Sequence, residues 1–180
     1  MSPESTPVRS LAAQLRRSFD DSFARPSLSD RIAQEDFLAI ELGDGRYVLR
    51  LAEIAHVAPI QSITRFPTPL AQLLGIAGVR GALVPVYDMG AWLGLEAGGA
   101  PRWLAVTGAA PLALAFPAIH SYVRVPQGAT ARADEPQQAA SRHLAEILHH
   151  DGRAVPVISL PSIVAAIESA VQALPQARVA

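Results

Sequence analysis

The chain of 180 residues has no cysteine, few aromatic residues and no excess of charge of either sign. Without cysteine it can form no disulfide, no thiolate metal site and no cysteine nucleophile. The 15 arginine residues, with no lysine, nearly balance the 16 acidic residues, and aromatic residues make up only 6% of the chain. Because nucleic-acid-binding proteins usually carry a basic surface and aromatic side chains that stack on bases, we expect no nucleic-acid partner.

Catalytic and metal-binding motifs are also missing. The sequence contains neither a G-x-S-x-G nucleophile motif nor the phosphate-binding motif G-x-x-x-x-G-K-[ST]. The densest group of metal-capable side chains is His143, His149, His150 and Asp151. Adjacent histidines in a strand point to opposite faces, and His143 lacks the i, i+4 spacing of a helical pair. We therefore expect no catalytic residue, no metal and no cofactor.

One apolar run, from Trp103 to Val123, is long enough to cross a membrane and carries no formal charge. Pro111 and Pro117 interrupt it, and Gly108 and His120 also lie inside it. Two short apolar segments around "GAAP" instead predict a hairpin of buried strands. The polar start "MSPESTPVRS" also lacks the apolar core of a secretion signal. We therefore expect a cytoplasmic protein that does not insert into a membrane.

Residues 1–35 differ from the rest of the chain. Apolar residues recur there every four positions, at Leu11, Leu15, Phe19 and Phe23. This spacing predicts an amphipathic helix that ends before Pro26 and is followed by a linker. We expect the helix to pack on its own domain; docking into a partner's groove is the alternative.

Strand-like segments follow twice in the same order. "FLAIEL" and "RYVLRL" flank "GDG", a strong hairpin-turn signal, and "WLAVTG" and "LALAF" flank "AAP". Residues 80–86 then align without a gap on residues 151–157, and each segment has a proline inside a good strand candidate. Proline cannot donate a ladder hydrogen bond, so it belongs on an edge strand, at a strand's first residue or at a bulge. The pattern predicts two related all-β units.

The repeat suggests boundaries for the domains. A first unit would run from about 36 to 99 and a second from about 100 to 171, with a tail at 172–180. The segments "GAWLGL" and "LPSIVAAIESAVQAL" predict a helix after each unit.

Several short motifs occur in order in the first unit. They are Leu42-Gly43-Asp44, Tyr47, Ile54-Ala55-His56-Val57, Thr64-Arg65-Phe66-Pro67, Gly75, Gly78-Val79-Arg80-Gly81 and Val84-Pro85-Val86-Tyr87-Asp88-Met89. In this order and spacing they resemble the CheW family, the coupling proteins of bacterial chemosensory arrays. The second unit is similar more loosely, through its strand order and "AVPVISL", so the resemblance covers about residues 36–170.

The resemblance implies an all-β-dominated fold of two small five-stranded, SH3-like barrels around a shared core. The N-terminal amphipathic helix and a C-terminal helix would be added to it. Pro85 and Pro156 would then occupy equivalent places, where a strand bends or leaves its ladder.

The resemblance also implies a function. Family members are non-enzymatic adaptors that bridge the cytoplasmic tips of methyl-accepting chemoreceptors and the regulatory domain of a CheA-type histidine kinase, in arrays at the inner face of the membrane. Carried over by position, the partner-binding residues are Ile54, His56, Val57 and Arg80.

Three positions depart from the family pattern. His56 replaces a glutamate, Gly78 replaces an asparagine, and Pro117 stands where relatives tend to have an aspartate. A histidine cannot pair with the nearby arginine as a carboxylate could. The alternatives are therefore an adaptor for surface motility or another chemosensory output and, from other classes, a small-barrel ligand-binding module or a hydrolase that uses His149, His150 and Asp151.

Overall fold

The computed structural model describes residues 33–95, 98–133, 142–144 and 146–174. The predicted N-terminal helix lies outside these residues, as do 175–180 of the predicted tail. The described strands are β1 (Gln34–Leu42), β2 (Gly45–Arg50), β3 (Ile54–Pro59), β4 (Leu73–Val79), β5 (Ala82–Asp88), β6 (Trp103–Thr107), β7 (Ala113–Phe116), β8 (Ala118–Pro126), β9 (Thr130–Arg132), β10 (Glu146–His150) and β11 (Arg153–Ile158). The described helices are α1 (Met89–Trp92) and α2 (Leu160–Gln172), and a 3-10 turn covers Leu51–Glu53.

The strands form two sheets, which confirms the all-β prediction. One sheet has the order β8-β1-β2-β11-β10-β9 and the other the order β3-β6-β7-β5-β4. The predicted hairpin in the apolar run is present as the antiparallel pair β6–β7. Neighbouring strands are antiparallel except at β2–β11 and β5–β7, which are parallel. The two sheets therefore share one strand order, and β9 is an additional strand at the end of the larger sheet.

Each sheet takes strands from both of the units that the sequence suggests. The hairpin β1–β2 lies beside β11, whereas the hairpin β6–β7 lies beside β5. The pairing of the strands therefore crosses the boundary expected near residue 99. This exchange buries apolar side chains of both hairpins in one cluster, which includes Ile40 and Leu49 from one sheet and Leu114 and Phe116 from the other. The predicted shared core is thus present.

The hairpins β4–β5 and β10–β11 repeat each other residue by residue. In the first, Gly75–Val79 pair with Ala82–Val86; in the second, Glu146–His150 pair with Arg153–Val157. Both have two-residue turns in which both residues have positive φ, at Arg80–Gly81 and at Asp151–Gly152. Two positive φ values are typical of the type I′ turn, whose twist matches that of the flanking strands.

The repeat continues into the helices. The N–H of Asp88 donates to the carbonyl of Gln72, and the N–H of Ser159 donates to the carbonyl of His143. The side chains of Asp88 and Ser159 then cap α1 and α2 respectively, each accepting from a backbone N–H three residues later. Such caps stabilise a helix start by about 1 kcal/mol.

Pro85 and Pro156 occupy equivalent places, as the resemblance implies. Pro85 pairs with Ile76 on one side of β5, and pairing on the other side, with β7, begins one residue later at Val86. Likewise, pairing of β11 with β2 begins at Val157, directly after Pro156. Each proline is therefore paired on one side only, where its missing N–H leaves no gap in a second ladder.

Helix α2 closes the shared core. Its buried residues recur at the spacing of one helical face, at Leu160, Ile163, Val164 and Ile167. The helix begins after Ser159 with Pro161 in its first turn, where a proline removes no intrahelical hydrogen bond. Burial of each of these large aliphatic side chains contributes about 1.5–3 kcal/mol.

Candidate partner-binding surface

Three of the four residues expected to bind a partner lie on β3, at the edge of the five-stranded sheet. β3 pairs with β6 on one side and has no strand neighbour on the other among the described residues. Its register with β6 shifts between Ile54 and His56, which is a β-bulge. Because a bulge inserts one residue, Ile54 and Val57 both pack against the shared core although they are three residues apart.

The fourth residue, Arg80, lies in the β4–β5 turn. Its φ of 50° is a left-handed conformation that few residues other than glycine, asparagine and aspartate adopt readily. Gly81 completes the turn with a φ of 82°. The turn leaves the Arg80 side chain exposed at the tip of the hairpin.

A groove of about 250 Å³ brings His56, Val57 and Arg80 together. It lies between β3 with the loop that follows it and the end of β4, and its lining is otherwise mostly small or apolar. Ile54 does not line this groove; it packs instead against the shared core. The structure therefore assembles His56, Val57 and Arg80 on one surface. Ile54, on the same strand as His56, has its side chain against the shared core.

The groove has an uneven balance of charge. Arg80 is the one formally charged residue of its lining, and no carboxylate is among the lining residues. Within the described part of the chain, Nε2 of His56 is buried and makes no hydrogen bond. A partner that fills this groove would therefore meet a cation and an apolar wall.

Leu83 is an exposed apolar residue that the sequence reasoning missed. Its side chain is 78% exposed, more than any other large hydrophobic residue that the structure describes. It pairs with Gly78, whose missing side chain leaves the space next to it open. The sequence could have indicated this exposure. A two-residue turn at Arg80–Gly81 fixes which side chains of β5 alternate inward and outward, so that Val84 and Val86 face inward and Leu83 faces outward.

Glu53 connects β3 to helix α2. Its Oε2 accepts a hydrogen bond of 3.0 Å from the backbone N–H of Leu160, the first residue of the helix. A carboxylate at a helix N-terminus is favourable because it satisfies a backbone donor and interacts with the helix dipole. Burial nevertheless raises the pKa of Glu53. The start of β3 is therefore held against the helix.

The remaining candidates do not come together. His149 and His150 lie on β10, where the pleat points them to opposite faces, and His143 is buried with Nδ1 2.8 Å from Oγ of Ser162. Among the described residues no three histidine, aspartate or glutamate side chains lie close enough to hold a metal ion. Asp151 lies beside His150 at 3.4 Å, on an exposed turn.

The apolar run from Trp103 to Val123 forms β6, β7 and part of β8. None of the helices in the described residues has the length and hydropathy needed to span a membrane.

Comparison with known proteins gives one family over most of the chain. A family model for the CheW-like domain matches residues 36–168. Among solved structures, the scaffolding protein TtCheW from Thermoanaerobacter tengcongensis superposes with a TM-score of 0.63, covering 71% of this chain and 90% of that one at 19% identity. At that identity the likeness shows the fold.

Two curated relatives match shorter stretches. The probable chemotaxis protein CheW of Rhizobium etli is 27% identical over 75 residues, which are 42% of this chain and 47% of that protein. Chemotaxis protein CheV3 of Helicobacter pylori is 25% identical over 52 residues, which are 29% of this chain and 17% of that protein. The matched stretch is therefore less than half of either relative.

Proposed function

Because the chain belongs to the CheW-like domain family, we propose that it is a non-enzymatic adaptor that couples chemoreceptors to a CheA-type histidine kinase in a bacterial chemosensory array. Its partners would be the regulatory domain of the kinase and the cytoplasmic tip of methyl-accepting receptors. It would then work in the cytoplasm, at arrays on the inner face of the membrane.

The observation that supports this proposal most is the groove between β3 and the β4–β5 turn. It joins His56, Val57 and Arg80, and the exposed side chain of Leu83 stands on the adjoining hairpin. A few apolar anchors surrounded by polar residues are typical of protein–protein interfaces. We assign these residues, with Ile54 supporting β3 from beneath, to partner binding.

The charge of the groove indicates what the partner presents. An arginine that faces a groove without carboxylates favours a partner with an acidic side chain, because a guanidinium binds a carboxylate through paired hydrogen bonds. Leu83 favours a small apolar pocket next to that acid.

A binding titration tests the proposal. The full chain is titrated with the regulatory domain of the CheA-type kinase from the same genome, using calorimetry. We expect saturable binding that Arg80→Asp and Leu83→Asp each weaken at least about tenfold, the size of effect given by losing one interface anchor. The matched control is Arg132→Asp, an exposed arginine on β9 of the other sheet, which should leave the affinity unchanged.

The result that overturns the proposal is equally specific. Absence of binding up to about 50 µM of the domain would exclude a coupling complex of ordinary affinity. Equal weakening by Arg80→Asp and Arg132→Asp would contradict the placement of the contact at the β4–β5 turn.

The receptor side of the adaptor is tested at His56. If this histidine selects the receptor, His56→Glu should tighten binding to a receptor tip that normally pairs with family members carrying glutamate there. His56→Gln, which changes the side chain without adding a charge, is the control. An unchanged affinity of His56→Glu for that tip would show that this position has no part in partner choice.

A further inference from the structure

The six-stranded sheet carries a second cleft, on the sheet that does not contain the residues assigned above. It encloses about 520 Å³. Ala39, Val48 and Leu148, all buried, form its floor. Its rim carries nitrogen-bearing side chains from four strands, at Arg46, His120, His150 and Arg153. A cavity of this size with an apolar floor and polar groups that converge on it is typical of a small-molecule site.

The alternation of the strands explains why two arginines stand over apolar side chains. Arg46 lies two residues before Val48 on β2, and Arg153 lies two residues before Val155 on β11, so each arginine shares a face with its valine. β2 and β11 are parallel neighbours, with Val48 opposite Val157. The two guanidinium groups therefore extend from adjacent strands over one apolar cluster.

The cleft is open because β2 and β11 diverge. They pair only at two positions, Val48 with Val157 and Leu49 with Ile158. Before those positions, a recess of about 660 Å³ separates Gly43–Arg46 from Arg153–Val155. Arg46, Arg153 and Val155 line both the recess and the cleft, which gives a ligand a way in.

Acidic side chains of the recess and of the cleft lie next to the histidines. Glu41 Oε1 is 3.4 Å from Nδ1 of His120, and Asp151 Oδ2 is 3.4 Å from Nε2 of His150. Asp44 also lines the recess. Within the residues that the structure describes, Arg46 and Arg153 have no ion-pair partner within 4.0 Å. Exposed arginines often lack a partner, but here two converge on one apolar-floored cavity.

We propose that this cleft binds a small organic anion. Its carboxylate or phosphate lies between the guanidinium groups of Arg46 and Arg153, which suit such planar or tetrahedral oxyanions. Its apolar body rests on Val48 and Leu148. This site is independent of the partner-binding groove, which belongs to the other sheet, and its test does not depend on the adaptor function.

Solution NMR on the ¹⁵N-labelled full chain tests the site with four probes. Phenyl phosphate and benzoate carry the proposed chemistry with two different head groups. Benzyl alcohol keeps the ring without a charge, and inorganic phosphate keeps the charge without a ring. For ligands of this size we expect a Kd of about 1 mM or tighter for at least one aromatic anion, with shifts concentrated on the cleft-lining residues.

Variants locate the head group. Arg46→Gln/Arg153→Gln should weaken binding of the aromatic anion at least about tenfold, because it removes both charge-assisted contacts. Arg102→Gln/Arg132→Gln, which removes two exposed arginines outside the cleft, should leave the Kd unchanged. A preference for phenyl phosphate or for benzoate would support the site and name its head group.

Three results would overturn the proposal. One is the absence of saturable shifts with both aromatic anions. Another is equal affinity for the anions and for either benzyl alcohol or inorganic phosphate, which would mean that the head group or the ring contributes nothing. The third is unchanged binding by Arg46→Gln/Arg153→Gln, which would place the ligand elsewhere.

Discussion

The hairpins β4–β5 and β10–β11 have the same register and the same turn geometry, but they present different chemistry. The turn of the first hairpin carries Arg80, and the exposed Leu83 lies two residues after that turn; the turn of the second carries Asp151, and Arg153 directly follows that turn. The groove beside the first is lined by no carboxylate, whereas the cleft beside the second has charged groups of both signs. The shared backbone thus presents two different surfaces.

The same contrast holds at the base of the two hairpins. Gly75 faces Val86 in the first, and Glu146 faces Val157 at the equivalent place in the second. Near Gly75 the segment that precedes β4 comes close, and Thr64 forms an antiparallel bridge with Ile76. At Glu146 the neighbour is β9, and the carboxylate binds Arg50. At this position the five-stranded sheet has the segment around Thr64 packed close to its backbone, whereas the six-stranded sheet has the ion pair between Glu146 and Arg50.

The largest effect is expected from Gly75→Ala. Gly75 has a φ of 145°, and a Cβ there would lie 2.3 Å from the carbonyl oxygen of Thr64, so the backbone must move. We expect a loss of about 3 kcal/mol or more in the free energy of unfolding. Denaturant unfolding followed by circular dichroism measures it.

Gly78→Ala is the matched control on the same strand. Nothing lies within 4 Å of its added Cβ, so its effect should stay within about 0.5 kcal/mol. A similar cost for the two substitutions would show that the close approach of Thr64 does not require glycine at position 75.

Arg50→Met should cost less, about 1–2 kcal/mol, since it breaks a half-buried ion-pair network. Arg50 Nε is 3.0 Å from Glu35 Oε1, and its Nη2 binds Glu146, which lowers the pKa of that carboxyl. Methionine keeps the aliphatic packing but leaves two carboxylates together. The same unfolding measurement applies.

Arg124→Met is the control for Arg50→Met, because the side chain of Arg124, which pairs with Asp36, is 56% exposed whereas that of Arg50 is 18% exposed. Exposed pairs contribute little, so this variant should unfold much as the wild type does. If Arg124→Met proved as costly as Arg50→Met, the partial burial of the Arg50 network would not explain its contribution.

A smaller, pH-dependent effect on stability is expected at His143. The equivalent residue before the β4–β5 hairpin is Gln72, which does not titrate; its carbonyl accepts from Asp88 as that of His143 accepts from Ser159. Burial, with a smaller contribution from the neighbouring Arg142, lowers the pKa of His143 below 6.5. Because its pKa is lower in the folded protein, the unfolded chain takes up a proton at His143 more readily than the folded chain does. The free energy of unfolding is therefore highest above pH 6.5 and decreases as the pH falls. The slope is at most about 1.4 kcal/mol per pH unit.

The measurement is the unfolding free energy of wild type and His143→Gln at pH 7.5 and pH 5.5. The wild type should lose more stability on acidification than the variant, because only it carries the buried imidazole. Equal losses would assign the acid sensitivity to other groups.

The smallest effect on stability, about 0.5 kcal/mol in the favourable direction, is expected from Arg80→Asn. Asparagine adopts a φ of 50° more readily than arginine and is preferred before glycine in a type I′ turn. The same substitution should weaken kinase binding, because it removes the guanidinium. Thermal unfolding and the binding titration measure the two effects.

Asp151→Asn is the control in the second hairpin, whose turn already has a suitable residue, and should change stability little. A destabilised Arg80→Asn would mean that the arginine itself holds the turn. Full kinase affinity in that variant would contradict the proposed contact.

Local features of this molecule were predictable from its residues. The two-residue turns, the buried hairpin β6–β7 and the amphipathic face of α2 follow from spacing over fewer than twenty residues. The order of the motifs predicted the family, and with it two β-rich units around a shared core. The motif order also predicted His56, Val57 and Arg80 as partner-binding residues, which stays a prediction, and the exposure of Leu83 could have been predicted from the two-residue turn at Arg80–Gly81.

The tertiary structure alone decided which strand each hairpin joins, and with it the partner-binding groove and the cleft of the six-stranded sheet. Every strand offers the same backbone donors and acceptors. Hydrogen bonding therefore does not determine that the hairpin β1–β2 pairs with β11 rather than with β5. The choice depends on burial: β7 is buried on both faces, with Leu114 in the shared core and Ala113 in the cluster of its own sheet. The sequence by itself determined the turns, the repeat and the family, because these depend on neighbours along the chain. Which strands meet, and so which side chains line a groove, depends on contacts between residues far apart in the sequence.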